Sequence, residues 1–125
     1  MWKNIMVIGT GGFLGAVARY GLSGLIQRHL KSLFPVGVLL VNLLGCFVMG
    51  ALIALIDGAL FPPRFRLFCI TGFLGSFTTL SAVGYQTFEL FKTDHLGLAL
   101  GNMILNMGMG VVAVGLGWMM VKGQM

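Results

Sequence analysis

Four hydroxyls stand within six residues, at Ser76, Thr78, Thr79 and Ser81, just behind Gly72 and Gly75 in the stretch GFLGSFTTLS. Hydroxyls and free backbone N–H groups can donate to an anion, and carbonyls released from a helix can coordinate a hard cation such as Na⁺. Three amides could join them: Asn42 in VLLVNLLGCFVMG, and Asn102 and Asn106, one helical turn apart. Arg19 adds a fixed cation. The sequence shows no nucleophile–base set, metal-ligand cluster or phosphate loop, and an enzyme is not expected. Cys46 and Cys69 fall in apolar runs, as small buried residues do.

The surroundings of these groups decide what they can be. The chain is 58% hydrophobic and 9% charged, with a mean hydropathy of +0.98, whereas a soluble domain carries about 25% charged residues. A chain of 125 residues with so little polar surface needs lipid as its solvent. A spanning helix takes about 20 apolar residues. Four runs fit: Ile5–Ile26, Val36–Ile56, Leu67–Phe91 and Leu96–Val121. With short linkers between them, residues 1–125 read as one all-α, four-span membrane domain. The first run lacks a signal-cleavage pattern and is expected to be retained. A bilayer leaves no water for unpaired backbone. The hydroxyl-rich Gly72–Ser81 stretch therefore reads as a third helix broken at Gly75–Thr79, the kind of interruption that builds ion sites. The bland alternative is an unbroken helix whose hydroxyls bond back to the preceding turn.

Each remaining polar group has two readings. Asn42 either bonds to a neighbouring helix or donates to a pore. Asn102 and Asn106 form either a packing seam or a polar track. Arg19 either snorkels to the headgroups or marks the mouth of an anion path. Gly9-x-Gly11 resembles a dinucleotide loop but has Leu14 where the third glycine belongs. Close helix packing explains Gly11/Gly15 better, as it does Gly97/Gly101 and Cys46/Gly50/Ala54. The net charge of +5 comes from scattered basic residues, which speaks against nucleic acid. Four spans place Lys3, Arg64, Arg66 and Lys122 on one face and Arg28, Lys31 and Lys92 on the other. Four against three is a weak orientation bias, compatible with insertion both ways.

Together these features resemble the Fluc (CrcB-type) family of bacterial fluoride channels. The likeness rests on GGFLGAVARY (Gly11–Tyr20), GVLLVNLLGCFVMG (Gly37–Gly50) and TGFLGSFTTLS (Thr71–Ser81), and more loosely on Asn102 and Asn106. The resemblance implies passive fluoride export across the bacterial inner membrane by an antiparallel, dual-topology dimer with pores along its interface. It implies a structural Na⁺ held by backbone carbonyls, here Gly75 and Thr78. It assigns the pore amide to Asn42 and the family arginine to Arg19, with Thr79, Leu80, Ser81, Val83, Asn102 and Asn106 along the anion path. Leu80 and Val83 stand where the family has phenylalanines whose ring edges meet the ion, and Gln86 where it often has glutamate. A homodimer is expected. A heterodimer with a ring-bearing paralogue, in which this chain builds a half-pore or none, is the second reading. A small proton-coupled drug exporter is the third, and it lacks the intramembrane carboxylate such transport needs.

Overall fold

A computed structural model of the chain describes residues 1–58 and 61–124. Among these residues four helical stretches are long and apolar enough to cross a membrane: Trp2–Leu30, Val36–Asp57, Pro63–Lys92 and Leu96–Lys122. They coincide with the four expected runs and extend past most of their ends, through Lys3, Arg28, Lys92 and Lys122. Long basic side chains continue a helix into the headgroup region because their apolar stems stay in lipid while the charge reaches water.

The first two stretches are unbroken helices, α1 (Trp2–Leu30) and α2 (Val36–Asp57). Lys31 ends α1 in the left-handed conformation, with φ 46°. Gln27 then closes the connection. Its Nε2 donates to Ser32 O at 2.6 Å and Phe34 O at 3.2 Å, and its Oε1 accepts the Gly37 N–H at 3.0 Å.

The third stretch is composite. A short α3 (Pro63–Arg66) leads into a wide π-helical segment (Leu67–Leu74), then α4 (Gly75–Phe77) and α5 (Leu80–Lys92). Between α4 and α5, Thr78 (φ −86°, ψ 149°) and Thr79 (φ −149°, ψ 120°) are extended. The irregular backbone is thus shorter than Gly75–Thr79, because Gly75 is helical at φ −60° and ψ −29°. The fourth stretch runs as α6 (Leu96–Ile104), a π-helical turn (Leu105–Met109) and α7 (Gly110–Lys122). Asn106 lies in that turn and accounts for it. Its Nδ2 donates to Asn102 O at 2.9 Å, the acceptor an α-helix reserves for the Asn106 N–H, so the local ladder widens.

Small residues set the helix approaches. A β-carbon at Gly50 would run into the Val114 carbonyl, and one at Gly117 into the Phe47 carbonyl, so α2 and α7 touch backbone to backbone. Gly11 and Gly15 do the same for α1 against Phe68–Phe73. Within the described residues of one chain, no helix packs closely on Gly97 and Gly101. Nothing lies within 4 Å of a β-carbon at Gly97, and Gly101 reaches only the Phe34 ring at 4.0 Å. On α6 it is Ala99 and Asn102, not the glycines, that are buried. Val41, Leu74 and Phe77 form the core, packed by Leu22, Met49, Leu52 and Phe73. Much of the outer surface is apolar, for example Phe13, Val17, Val111 and Met119.

Gly50→Leu drives a side chain into backbone that cannot retreat, so it is expected to cost more than the roughly 1–3 kcal/mol of ordinary overpacking and to abolish the monodisperse peak in detergent gel filtration. Gly97→Ala, placed in open space, should elute and melt as the native chain does.

Candidate functional site

The extended pair Thr78–Thr79 removes helical hydrogen bonds, and a buried backbone group without a partner is costly. The replacements come from side chains. Asn42, buried in the middle of α2, uses both ends of its amide: Oδ1 accepts the Thr79 N–H at 2.8 Å, and Nδ2 donates to Thr79 O at 3.2 Å. Arg19 Nε donates to Ser76 O at 3.1 Å, satisfying a carbonyl whose helical donor lies past the interruption. The Thr78 hydroxyl turns back to Leu74 O at 2.9 Å and closes α4. Thr79 Oγ1 accepts the Ala82 N–H at 3.3 Å and caps α5.

From Asn42 a line of amides crosses to the fourth stretch. Asn42 Nδ2 donates to Asn106 Oδ1 at 2.8 Å, and Asn106 Nδ2 to Asn102 Oδ1 at 3.0 Å. Asn102 Nδ2 then donates to Thr87 Oγ1 at 3.0 Å and Val83 O at 3.4 Å. The direction of the chain is fixed. The Thr79 N–H can only donate, so Asn42 must present oxygen to it. Asn102 O and Val83 O can only accept, so Asn106 and Asn102 must present nitrogen to them. Such a chain strengthens along its length, each donor polarising the next.

Two carbonyls are left over. A continuous helix would direct the Thr79 N–H at Gly75 O and the Ala82 N–H at Thr78 O. Those N–H groups go instead to Asn42 Oδ1 and Thr79 Oγ1. Gly75 O and Thr78 O are thereby released from their helical donors, and they are the pair the family resemblance assigns to Na⁺. Hard carbonyl oxygens suit that ion. A β-carbon at Gly75 would meet only Ile70 O at 3.5 Å, so packing within the chain does not demand glycine there.

Beside the interruption lies a cavity of about 370 Å³, lined by Asn42, Gly75, Thr78, Thr79 and Asn106, with Leu80 and Val83 as its apolar side. Leu80 is 66% exposed, whereas Val83 is 3% exposed. Ser81 stands outside this lining, exposed, with its Oγ 3.1 Å from Thr79 Oγ1. Asn102 is fully buried and meets the cavity only through Asn106. Arg19 holds the far side of the interruption. Asn42 has neither amide hydrogen free, so its contribution to the cavity is positional. Gln27 and Thr87 are two further polar side chains in these networks: Gln27 closes the link between α1 and α2, and Thr87, on the same face of α5 as Leu80 and Val83, ends the amide line.

A family model described as "CrcB-like protein, Camphor Resistance (CrcB)" matches residues 6–118. The chain is 38% identical over 122 residues to a protein of Sulfurimonas denitrificans named fluoride-specific ion channel FluC, covering 97% of this chain and 95% of that one. It is 41% identical over 118 residues to the protein of that name from a Sulfurovum species, covering 94% and 93%. It is 40% identical over 115 residues to fluoride-specific ion channel FluC 1 of Methanosarcina acetivorans, covering 91% and 87%. A match over nearly the whole length, to relatives named as channels rather than enzymes, leaves one conclusion: the chain belongs to the CrcB-like family and is a multi-pass membrane protein.

Proposed function

We propose that the protein is a fluoride channel subunit, a single four-span unit over residues 1–125, that lowers cytoplasmic fluoride by passive flow across the cell membrane. The observation that carries this reading is the polar cavity at Thr78–Thr79 in an otherwise apolar protein. An anion suits it. The chain has three acidic residues, Asp57, Glu89 and Asp94, and none is among the cavity's lining. The first N–H groups of α5, a helix of 13 residues, add partial positive charge at its start. The Thr79 and Ser81 hydroxyls, bonded to each other at 3.1 Å, leave one proton to donate there. Asn42 and Arg19 hold the interruption open, Asn106 and Asn102 tie it to the fourth stretch, and Leu80 with Val83 forms the apolar side. A weak acid enters the cell neutral, ionises and is trapped. The anion then needs only a selective path out, with no energy-coupling group.

Two copies, antiparallel, complete the path. Support comes from the near-even charge count and from the half-open groove beside the exposed Leu80. Homodimerisation is the reading adopted, because every group that shapes the interruption is supplied by this chain. A Na⁺ at the interruption would be held by Gly75 O and Thr78 O. Its charge would offset two carbonyl dipoles whose usual helical N–H donors bond elsewhere.

Liposomes holding only this protein should release fluoride when an ionophore balances the charge, and should retain chloride. Release no faster than from empty vesicles would contradict the reading. The protein in Na⁺ should melt a few degrees above the protein in a large organic cation, as ligand linkage requires, and Thr78→Ala, which keeps the carbonyl, should preserve that gap. Equal melting in both salts would remove the ion from the account.

A further inference from the structure

We infer that Thr87, Phe88 and Phe91 form a second anion-binding site on the path, fitted to a small, strongly hydrogen-bonding anion such as fluoride. The inference rests on the channel reading and adds to it a donor role for Thr87 and a ring-edge role for Phe88 and Phe91.

A second cavity, also about 370 Å³, runs along α5 and is lined by Leu80, Val83, Thr87, Phe88, Phe91 and Met107 among others. Leu80, Val83 and Met107 line the polar cavity too, so the two adjoin at these residues. Among the described residues lining the second cavity, Thr87 carries the one polar side chain.

That hydroxyl is held unlike its counterparts. Thr10, Thr78 and Thr93 donate back to carbonyls four residues earlier, at Met6, Leu74 and Glu89. For Thr87 the equivalent carbonyl is Val83 O, which already faces Asn102 Nδ2 at 3.4 Å and, within α5, the Thr87 N–H. Thr87 Oγ1 instead accepts from Asn102 Nδ2 at 3.0 Å. Its proton is left for the cavity, at the end of an amide chain that polarises it.

The aromatic side is prepared as well. Lys92 Nζ sits 5.5 Å from the Phe88 ring centroid, over its face. A cation there covers the electron-rich face and leaves the electropositive edge as the open side. The carboxylate that would repel an anion is Glu89, and it is occupied: Lys92 Nζ lies 2.7 Å from its Oε1. Glu89 also lines a different cavity, with Gln27, Tyr85 and Gln86. Phe88 and Phe91, about two turns beyond Leu80 and Val83, both line the cavity, and in the proposed site they supply the ring edges that the two aliphatic residues cannot.

The test is fluoride efflux from liposomes holding the full-length protein, with detergent gel filtration to check each variant. Thr87→Val should slow efflux about tenfold, the loss of one hydrogen bond to a charged partner, while Thr87→Ser stays near the native rate. Phe88→Leu combined with Phe91→Leu, which leaves the Asn102–Thr87 bond untouched, should also slow it severalfold. Native rates in Thr87→Val overturn the inference. So does slowing in Thr87→Val with native rates in the ring variant, since Thr87 would then act only by holding Asn102. If Thr87→Val fails to elute as the native protein does, the ring variant decides alone. A native protein that passes no fluoride refutes the channel reading itself, whereas native flux indifferent to all these changes refutes only the second site.

Discussion

Everything at the centre of this protein depends on one side chain standing in for a helix. At Thr79 the backbone leaves the helical ladder, and Asn42 takes up both its N–H and its C=O. In water such a substitution would be one choice among many. In hydrocarbon it is close to a requirement, since an orphaned buried donor or acceptor costs roughly 1–3 kcal/mol even in ordinary protein interiors. The amide also orients its neighbours. Oxygen toward Thr79 forces nitrogen toward Asn106, which orders Asn102 and, through it, Thr87. A bend in one helix, a widened turn in another and a polarised hydroxyl further along α5 are consequences of a single orientation.

The same constraint explains which groups remain available. Asn42, Asn106 and Asn102 are engaged among themselves, and Arg19 is bound to Ser76 O. In the proposed channel these polar groups act as scaffold. What they leave is small and specific: two carbonyls at Gly75 and Thr78 released from their helical donors, one proton of the Thr79–Ser81 hydroxyl pair, and, in the inferred second site, the Thr87 proton. A carbonyl pair with a cation's preferences thus lies close to hydroxyls with an anion's. Both arise because one segment of chain cannot complete its own hydrogen bonds.

The spans and the segment that matters were legible in the sequence, because hydropathy and a hydroxyl cluster among apolar residues are strong signals. The limits of the irregular backbone were not. Gly75 suggested unwinding, yet it stays helical, and the extended residues are Thr78 and Thr79. From its sequence position Asn42 could be either a pore donor or a helix bridge. In the structure it lines the cavity with its amide bonded to Thr79 and Asn106, an arrangement that depends on the position of Thr79 37 residues away. The stripe of Asn102 and Asn106 was visible, but not that Asn106 would sit in a widened turn with its Nδ2 on Asn102 O. Glycine spacing found Gly11, Gly15 and Gly50; at Gly97 and Gly101 no backbone of the same chain lies against the face, because spacing says which residues share a face and not which neighbour meets it.

The most direct test of the account is a solid-state NMR dipolar recoupling measurement in lipid bilayers, between the Thr79 backbone ¹⁵N and the Asn42 side-chain ¹³Cγ. The account requires a strong coupling, set by the 2.8 Å hydrogen bond from the Thr79 N–H to Asn42 Oδ1. Absence of that coupling, with Thr78 and Thr79 carbon shifts typical of helix, would mean that the helix runs through and that the cavity, the freed carbonyls and the amide chain have lost their cause.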